Sequence, residues 1–581
     1  MTPDDLIYAC ILMLSLSIGP LIQKCGKSRP WCSAVVGFLM LFCVAGKAVW
    51  HSLLTSSVFT LAFLLFPVRF LHYITVVWCF GYLGFFRTCH YFGFAPATPV
   101  TNIVQLLLTL RLIGASFEIS DSWLIDKQLQ SETLQPEDKN TLKLLKMYKS
   151  VEPSPLMIMS YAYSYIGLFT GPYYKLRTFE DFSNWNCKIC MITEEPLSQH
   201  LQEAPPFGVA YLILSHFFTV DYVRTTDFYD RHFFYRLFYM MIVFFTFRMR
   251  IYFAWKMSEC VCMSAGLGAY PKLSEPEKGE GPTNLRALNS YVEQQAAKNM
   301  KTNFENSLSH HHQAPSTANS IIPPSLGNKS SSEIGSKATV IYNYTTIYNL
   351  SVWGCEFAPT VRESIKSWNC CVQYWLATYF YKRCKAPRNI RRISRQSTPE
   401  MMQLTNAKPA FFIRAEISSA TNTFELMQLP KTLWTMLVSA YWHGVHAGYY
   451  LSFLTIPLAL GAESSLKNII GLCEKNLPTG SASFLSWLLK MRVFEYCSMG
   501  FLILDWQTTI AYWSSIYYCV HIVLILLIIF EFFLRLVLPA RAFNSSSSSK
   551  LFPQSDVMKN DAFDQTTIPY SDQQFVDKSR L

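Results

Sequence analysis

Apolar stretches of bilayer-crossing length recur along this chain of 581 residues. A helix needs roughly 17 to 25 mostly apolar residues to cross a membrane. Segments that reach or approach that length run from Leu6 to Ile22, Cys32 to Ala45, Leu53 to Phe66, Leu71 to Tyr91, Leu156 to Tyr173, Phe207 to Val220 and Phe233 to Phe253. Others run from Ser367 to Tyr381, Leu433 to Leu460, Phe484 to Leu504 and Ile516 to Leu538. The chain reads as an all-α polytopic integral membrane protein of about ten crossings. Several spans carry Pro, Gly or charge, which is tolerated only where protein or a water-filled cavity surrounds them. A compact bundle around an internal chamber is therefore expected.

Composition agrees: 51% of residues are apolar and only 15% charged, far from the quarter or so charged in soluble domains. The first apolar segment follows Asp4 and Asp5 with no basic lead or small-residue cleavage site, as expected of a retained helix. Seventeen cysteines are scattered without a disulfide pattern. Cys187 and Cys190 lack an obvious second half of a zinc site and read as free thiols; no metal centre is expected. The net charge of +11 lies largely in loops, which assigns those loops to the cytosol. The densest run spans Lys382 to Arg395; it serves topology, or attracts an anionic headgroup or nucleotide phosphate.

Two polar stretches interrupt the pattern and read as loops: 272–337, expected to be disordered, and the basic stretch 385–408. They leave a membrane core over 1–540 and a disordered tail over 541–581. His310 to His312 lies in the first loop and is expected to have no metal role. Asn328, Asn343, Asn349 and Asn544 open glycosylation tripeptides, the first three being decoys if the basic loops are cytosolic. Arg391-Arg392-Ile393-Ser394 suits a basophilic kinase. The chain ends Ser579-Arg580-Leu581, near a peroxisomal signal that soluble proteins use. No inverted repeat of the kind transporters carry is visible.

Ionisable residues in membrane spans are costly and usually functional. His443, between Trp442 and Gly444, and His446 three residues on are the outstanding case. Trp442 offers an indole face to the imidazole, Gly444 a backbone that a substrate can approach, and His446 a partner on one face or for one tautomer. Asn369 lies among aromatics spaced for one helix face, with Gln373 a turn on. Its amide suits polarising a carbonyl or fixing a hydroxyl, and helix packing accounts for it equally well. A transport protein with His443 and Arg250 on an ion path is the competing class.

Several motifs occur in a fixed order: Thr101-Asn102-Ile103-Val104-Gln105, Ser160-Tyr161-Ala162-Tyr163-Ser164-Tyr165 running to Gly171-Pro172, Phe247-Arg248-Met249-Arg250 leading to Gly266-Leu267-Gly268, Trp368-Asn369 and Trp442-His443-Gly444. Together they resemble the membrane-bound O-acyltransferase family, and within it the branch that acylates lysophosphatidylinositol, from Pro3 almost to Ala540. The resemblance implies a bundle around an intramembrane catalytic chamber in the endoplasmic reticulum membrane. It implies His443 and Asn369 as the catalytic pair, with His446 at most supporting. Acyl-coenzyme A would be co-substrate, with no bound cofactor, and lysophosphatidylinositol and an arachidonoyl-like chain the favoured substrates. Membrane lipids are the expected surroundings, and nucleic acid is not a partner. Arg248 and Arg250 are candidates for contacting phosphates, and Tyr173 lies in a family element near the chamber. Other lysophospholipids or a secreted protein are the rival acceptors.

Overall fold

The computed structural model describes residues 3–131, 135–184, 194–311, 341–384, 429–473, 478 and 480–538. Among them the chain is almost wholly helical, with one two-stranded ladder. Among the described residues seven candidate spans are long and apolar enough to cross a membrane, and large apolar side chains are exposed along them. The stretches 385–408 and 541–581, Cys187, Cys190, His312, Asn328, Ser394 and Asn544 lie outside the described residues.

The span that organises the bundle escaped the hydropathy pattern. Pro99–Leu129 is a single helix of 31 residues, about 46 Å long at 1.5 Å per residue. Proline at its first position and the Thr98 hydroxyl, which accepts from Thr101 N, start it. Of its most apolar window 83% is buried, against 39% or less for every other candidate span, so it runs through the middle of the protein. Arg111 and Glu118 interrupt its apolar run and are satisfied within the fold. Arg111 donates to the carbonyls of Tyr161, Ala162, Ser164 and Ile166 and to the Tyr174 hydroxyl. Glu118 accepts from the backbone N–H groups of Leu176 and Arg177.

Two main cores flank one long helix, Phe233–Ala265. Its C-terminal half, with Met257, Val261 and Cys262, packs into a core shared with Leu83, Leu108, Tyr161, Trp375 and Trp442. Its N-terminal half, with Tyr239, Met240 and Val243, packs against Ala459, Val493, Tyr496, Tyr512 and Leu524. A small cluster of Met249, Tyr252, Leu350 and Cys355 lies along its middle. Lipid removes the hydrophobic drive between helices, so small residues and interhelical hydrogen bonds must hold them. In the second core, Gly448 N donates to Leu504 O at 2.7 Å, and the Ser452 hydroxyl donates to Cys497 O at 2.6 Å. A Cβ at Gly448 would lie 2.1 Å from Gly500 O.

Four expectations change. Leu156 to Tyr173 is not a span: a helix over Pro155–Tyr163 ends where the chain wraps around the Arg111 guanidinium. Leu433 to Leu460 is two helices, 429–443 and Ala447–Cys473, broken at 444–446. The Trp368-Asn369 run is broken as well, between helices Val361–Ser367 and Cys370–Leu376. The first part of the 272–337 stretch is folded, with a helix over Leu285–His311 that carries His310 and His311. Tyr270 and Pro271 pair antiparallel with Asn343 and Tyr342 across its base. Lys149 bonds Glu280 at 3.1 Å and the Tyr148 hydroxyl bonds Asn289 at 3.0 Å, tying it to helix Pro136–Lys149.

Candidate active site

His443 is the last residue of helix 429–443, where the final carbonyls of a helix lack partners. Arg87 supplies them, donating to the carbonyls of Tyr441, Trp442 and His443 at 2.7, 2.5 and 2.8 Å. Its Nε lies 3.5 Å from Asn102 Oδ1. The indole of Trp442 donates to Leu106 O at 3.2 Å, and the Tyr441 hydroxyl donates to Phe80 O at 3.0 Å. The helix end is thus pinned at and just before His443. A Cβ at Gly444 would fall 2.2 Å from the Tyr449 ring, so any side chain there would displace that ring.

Aromatic rings wall the imidazole. Its centroid is 4.6 Å from Trp442 edge-on, 5.2 Å from Phe453 nearly parallel and 5.1 Å from Phe501 edge-on. Among the described residues neither ring nitrogen has a hydrogen-bond partner, and the residue is only part-buried. The ring is held by packing and its nitrogens are left open.

Asn369 occupies the break between two short helices with left-handed backbone, φ 48° and ψ 54°. Asn tolerates this region better than most residues. Its carbonyl accepts from Gln373 N at 2.9 Å and closes the next turn, while its side chain does not cap that helix. The amides of Asn369 and Gln373 are part-buried and have no hydrogen-bond partner among the described residues. A chain of rings joins this break to His443: Trp368 contacts Phe247 at 6.4 Å, Phe247 contacts Phe501 at 6.0 Å, and Phe501 contacts His443. The two open polar groups stand at the ends of one aromatic wall.

The other candidates separate from them. Arg248 is buried and paired bidentately with Glu356 at 2.8 and 3.2 Å, with the Tyr252 hydroxyl on the same carboxylate. Arg250 bonds Asp5 at 2.6 Å and ties the long helix to the N-terminal one. Both arginines expected to meet phosphates are thus paired with carboxylates, with Arg248 Nη1 left without a hydrogen-bond partner among the described residues and the Arg250 side chain half-exposed. His446 lies in the exposed break, so the helical spacing expected to bring it onto the face of His443 does not exist. Tyr173 is buried, its hydroxyl 3.4 Å from that of Tyr379 and packed on Gly114. Arg87 was missed; its signal is a lone cation at the end of an apolar span, which needs buried acceptors.

Residues 89–397, more than half of the chain, match the model of the MBOAT, membrane-bound O-acyltransferase family, a stretch that includes Asn369 and stops short of His443. The chain is 35% identical over 550 residues to the Xenopus laevis protein named membrane-bound acylglycerophosphatidylinositol O-acyltransferase mboat7, covering 94% of this chain and 97% of that relative. The Homo sapiens protein of the same name is 34% identical over 524 residues, 90% of this chain and 92% of the relative. A Drosophila melanogaster protein, the same acyltransferase by name, is 28% identical over 530 residues, covering 90% of this chain and 91% of it. The chain belongs to the membrane-bound O-acyltransferase family.

Proposed function

We propose that this multi-pass O-acyltransferase moves a fatty acyl group, polyunsaturated and arachidonoyl-like, from acyl-coenzyme A to the free glycerol hydroxyl of lysophosphatidylinositol in the endoplasmic reticulum membrane. The names of relatives 34 to 35% identical over about nine-tenths of the chain support the acceptor. The observation that carries the chemistry is the pair of open polar groups, His443 and Asn369, at the two ends of one aromatic wall.

The His443 imidazole accepts the hydroxyl proton as the acceptor oxygen attacks the thioester carbonyl. The Asn369 amide donates to the oxygen on which negative charge develops. Collapse of the tetrahedral intermediate breaks the C–S bond, and the coenzyme thiolate takes the proton back from the imidazolium. The reaction needs neither a nucleophilic side chain nor an acyl-enzyme. Arg87 shapes the site indirectly by fixing the end of the histidine helix. Apolar walls suit two acyl chains whose reactive heads meet inside the bilayer.

The test is acyl transfer in microsomes containing this chain, with arachidonoyl-coenzyme A offered against a panel of lysophospholipids and acylatable peptides. Preferential transfer to lysophosphatidylinositol supports the proposal. Transfer to another headgroup keeps the reaction and rejects the acceptor, and transfer to peptides alone rejects a lipid acceptor.

A further inference from the structure

An asparagine at the N-cap, just before a helix, normally has extended backbone and spends its side chain on the free N–H groups of the first turn. Asn369 does neither, yet the helix Cys370–Leu376 behind it begins inside the protein, where unpaired N–H groups are costly. Asn349 takes over the task. Its carbonyl accepts from Cys370 N at 2.8 Å, and its Oδ1 accepts from Cys371 N at 3.3 Å.

Asn349 is itself anchored. It is 1% exposed, and its N–H and that of Leu350 donate to one oxygen of Glu259 at 2.6 and 3.1 Å. The other Glu259 oxygen faces Lys256 at 3.7 Å and His200 at 3.6 Å. A buried carboxylate on the long central helix thus fixes Asn349, and Asn349 fixes the turn on which Asn369 stands. The burial of Asn349 also removes it as a glycan acceptor.

We propose that Asn349 is the positioning residue of Asn369: by capping the helix from outside, it releases the Asn369 amide to meet substrate and holds the left-handed turn that aims it. The inference rests on the reading of Asn369 as a group that acts on the thioester. Without the Asn349 acceptor, the Asn369 side chain is drawn back to cap its own helix.

Purified full-length Asn349→Ala, Asn349→Asp and Asn369→Ala test this in steady-state acyl transfer from arachidonoyl-coenzyme A to lysophosphatidylinositol, with melting temperatures in detergent. Aspartate keeps the acceptor oxygen and suits a helix start. Asn349→Ala is expected to lower kcat about tenfold with KM for both substrates within about twofold, and Asn349→Asp to recover kcat to within about threefold of wild type. Wild-type kcat in Asn349→Ala overturns the proposal, as does a loss of kcat that Asn349→Asp shares while folded. If Asn349→Ala does not accumulate, Asn349→Asp decides alone: turnover near wild type supports the proposal and lost turnover overturns it. Asn369→Ala separates the two layers. Wild-type activity there removes the role of Asn369 itself, whereas an inactive Asn369→Ala beside a fully active Asn349→Ala removes only Asn349.

Discussion

Arg111 and His443 are both ionisable side chains inside an apolar helical bundle, and the fold treats them in opposite ways. Arg111 is 1% exposed and surrounded by four backbone carbonyls and the Tyr174 hydroxyl. His443 has rings on three sides and no hydrogen bond to either ring nitrogen among the described residues. A cation with its donors spent can only hold structure. An imidazole fixed by packing, with its nitrogens open, is free to exchange a proton. Hydrogen-bond saturation separates the two, and it is the ground on which the frame is assigned to Arg111 and the chemistry proposed for His443.

The largest effect should come from breaking the saturated side. Arg111→Met takes a donor from four carbonyls and a hydroxyl, with Ile166 O keeping the Tyr174 hydroxyl, a cost on the order of 3–5 kcal/mol. Folded protein should fail to accumulate, read by size-exclusion of a fluorescent fusion; normal accumulation would contradict the scaffold role. Next is Arg87, which serves three carbonyls at the end of the histidine helix. Arg87→Met should lower kcat about tenfold with a modest loss of melting temperature, because each lost hydrogen bond costs about 1 kcal/mol. Lysine reaches fewer acceptors at once than the guanidinium fork, so Arg87→Lys should recover only part of the rate.

The smallest effect probes an intermediate case. Lys175, in the loop before helix Leu176–Asn184, is buried, with its ammonium 5.9 Å from the Tyr374 ring centroid and no hydrogen bond or ion pair among the described residues. Burial, and then Lys149, push its pKa down to about 8. Unfolded, it titrates near 10.4, so between these values the unfolded chain binds more protons and stability rises with pH. Relative to Lys175→Met, the wild-type melting temperature should climb by on the order of 2–4 °C from pH 8 to pH 10. Parallel profiles would show that Lys175 is not held in a strained, unpaired state.

The sequence made the membrane class, the family resemblance and the two open groups legible, because each is local: an apolar run, a motif, a histidine where histidine is expensive. What it hid was long-range. Pro99–Leu129 was passed over because Arg111 and Glu118 break its apolar run, and their partners lie 50 or more positions away. The pairing of Arg248 with Glu356 was not legible because the two lie 108 positions apart. The polar composition of 272–311 suggested disorder, whereas a strand pair and contacts to helix Pro136–Lys149 order it. His446 was expected beside His443 because three residues is close to one helical turn, and the helix stops between them.

The proposal that His443 carries the chemistry while Arg111 carries the frame rests on this difference in saturation. It is tested most directly by acyl transfer from arachidonoyl-coenzyme A to lysophosphatidylinositol per folded molecule of purified His443→Ala, with its melting temperature measured alongside. A wild-type melting temperature and a rate lower by about 10²- to 10⁴-fold, the range for losing a general base, are expected. A folded His443→Ala protein that acylates at the wild-type rate would contradict it.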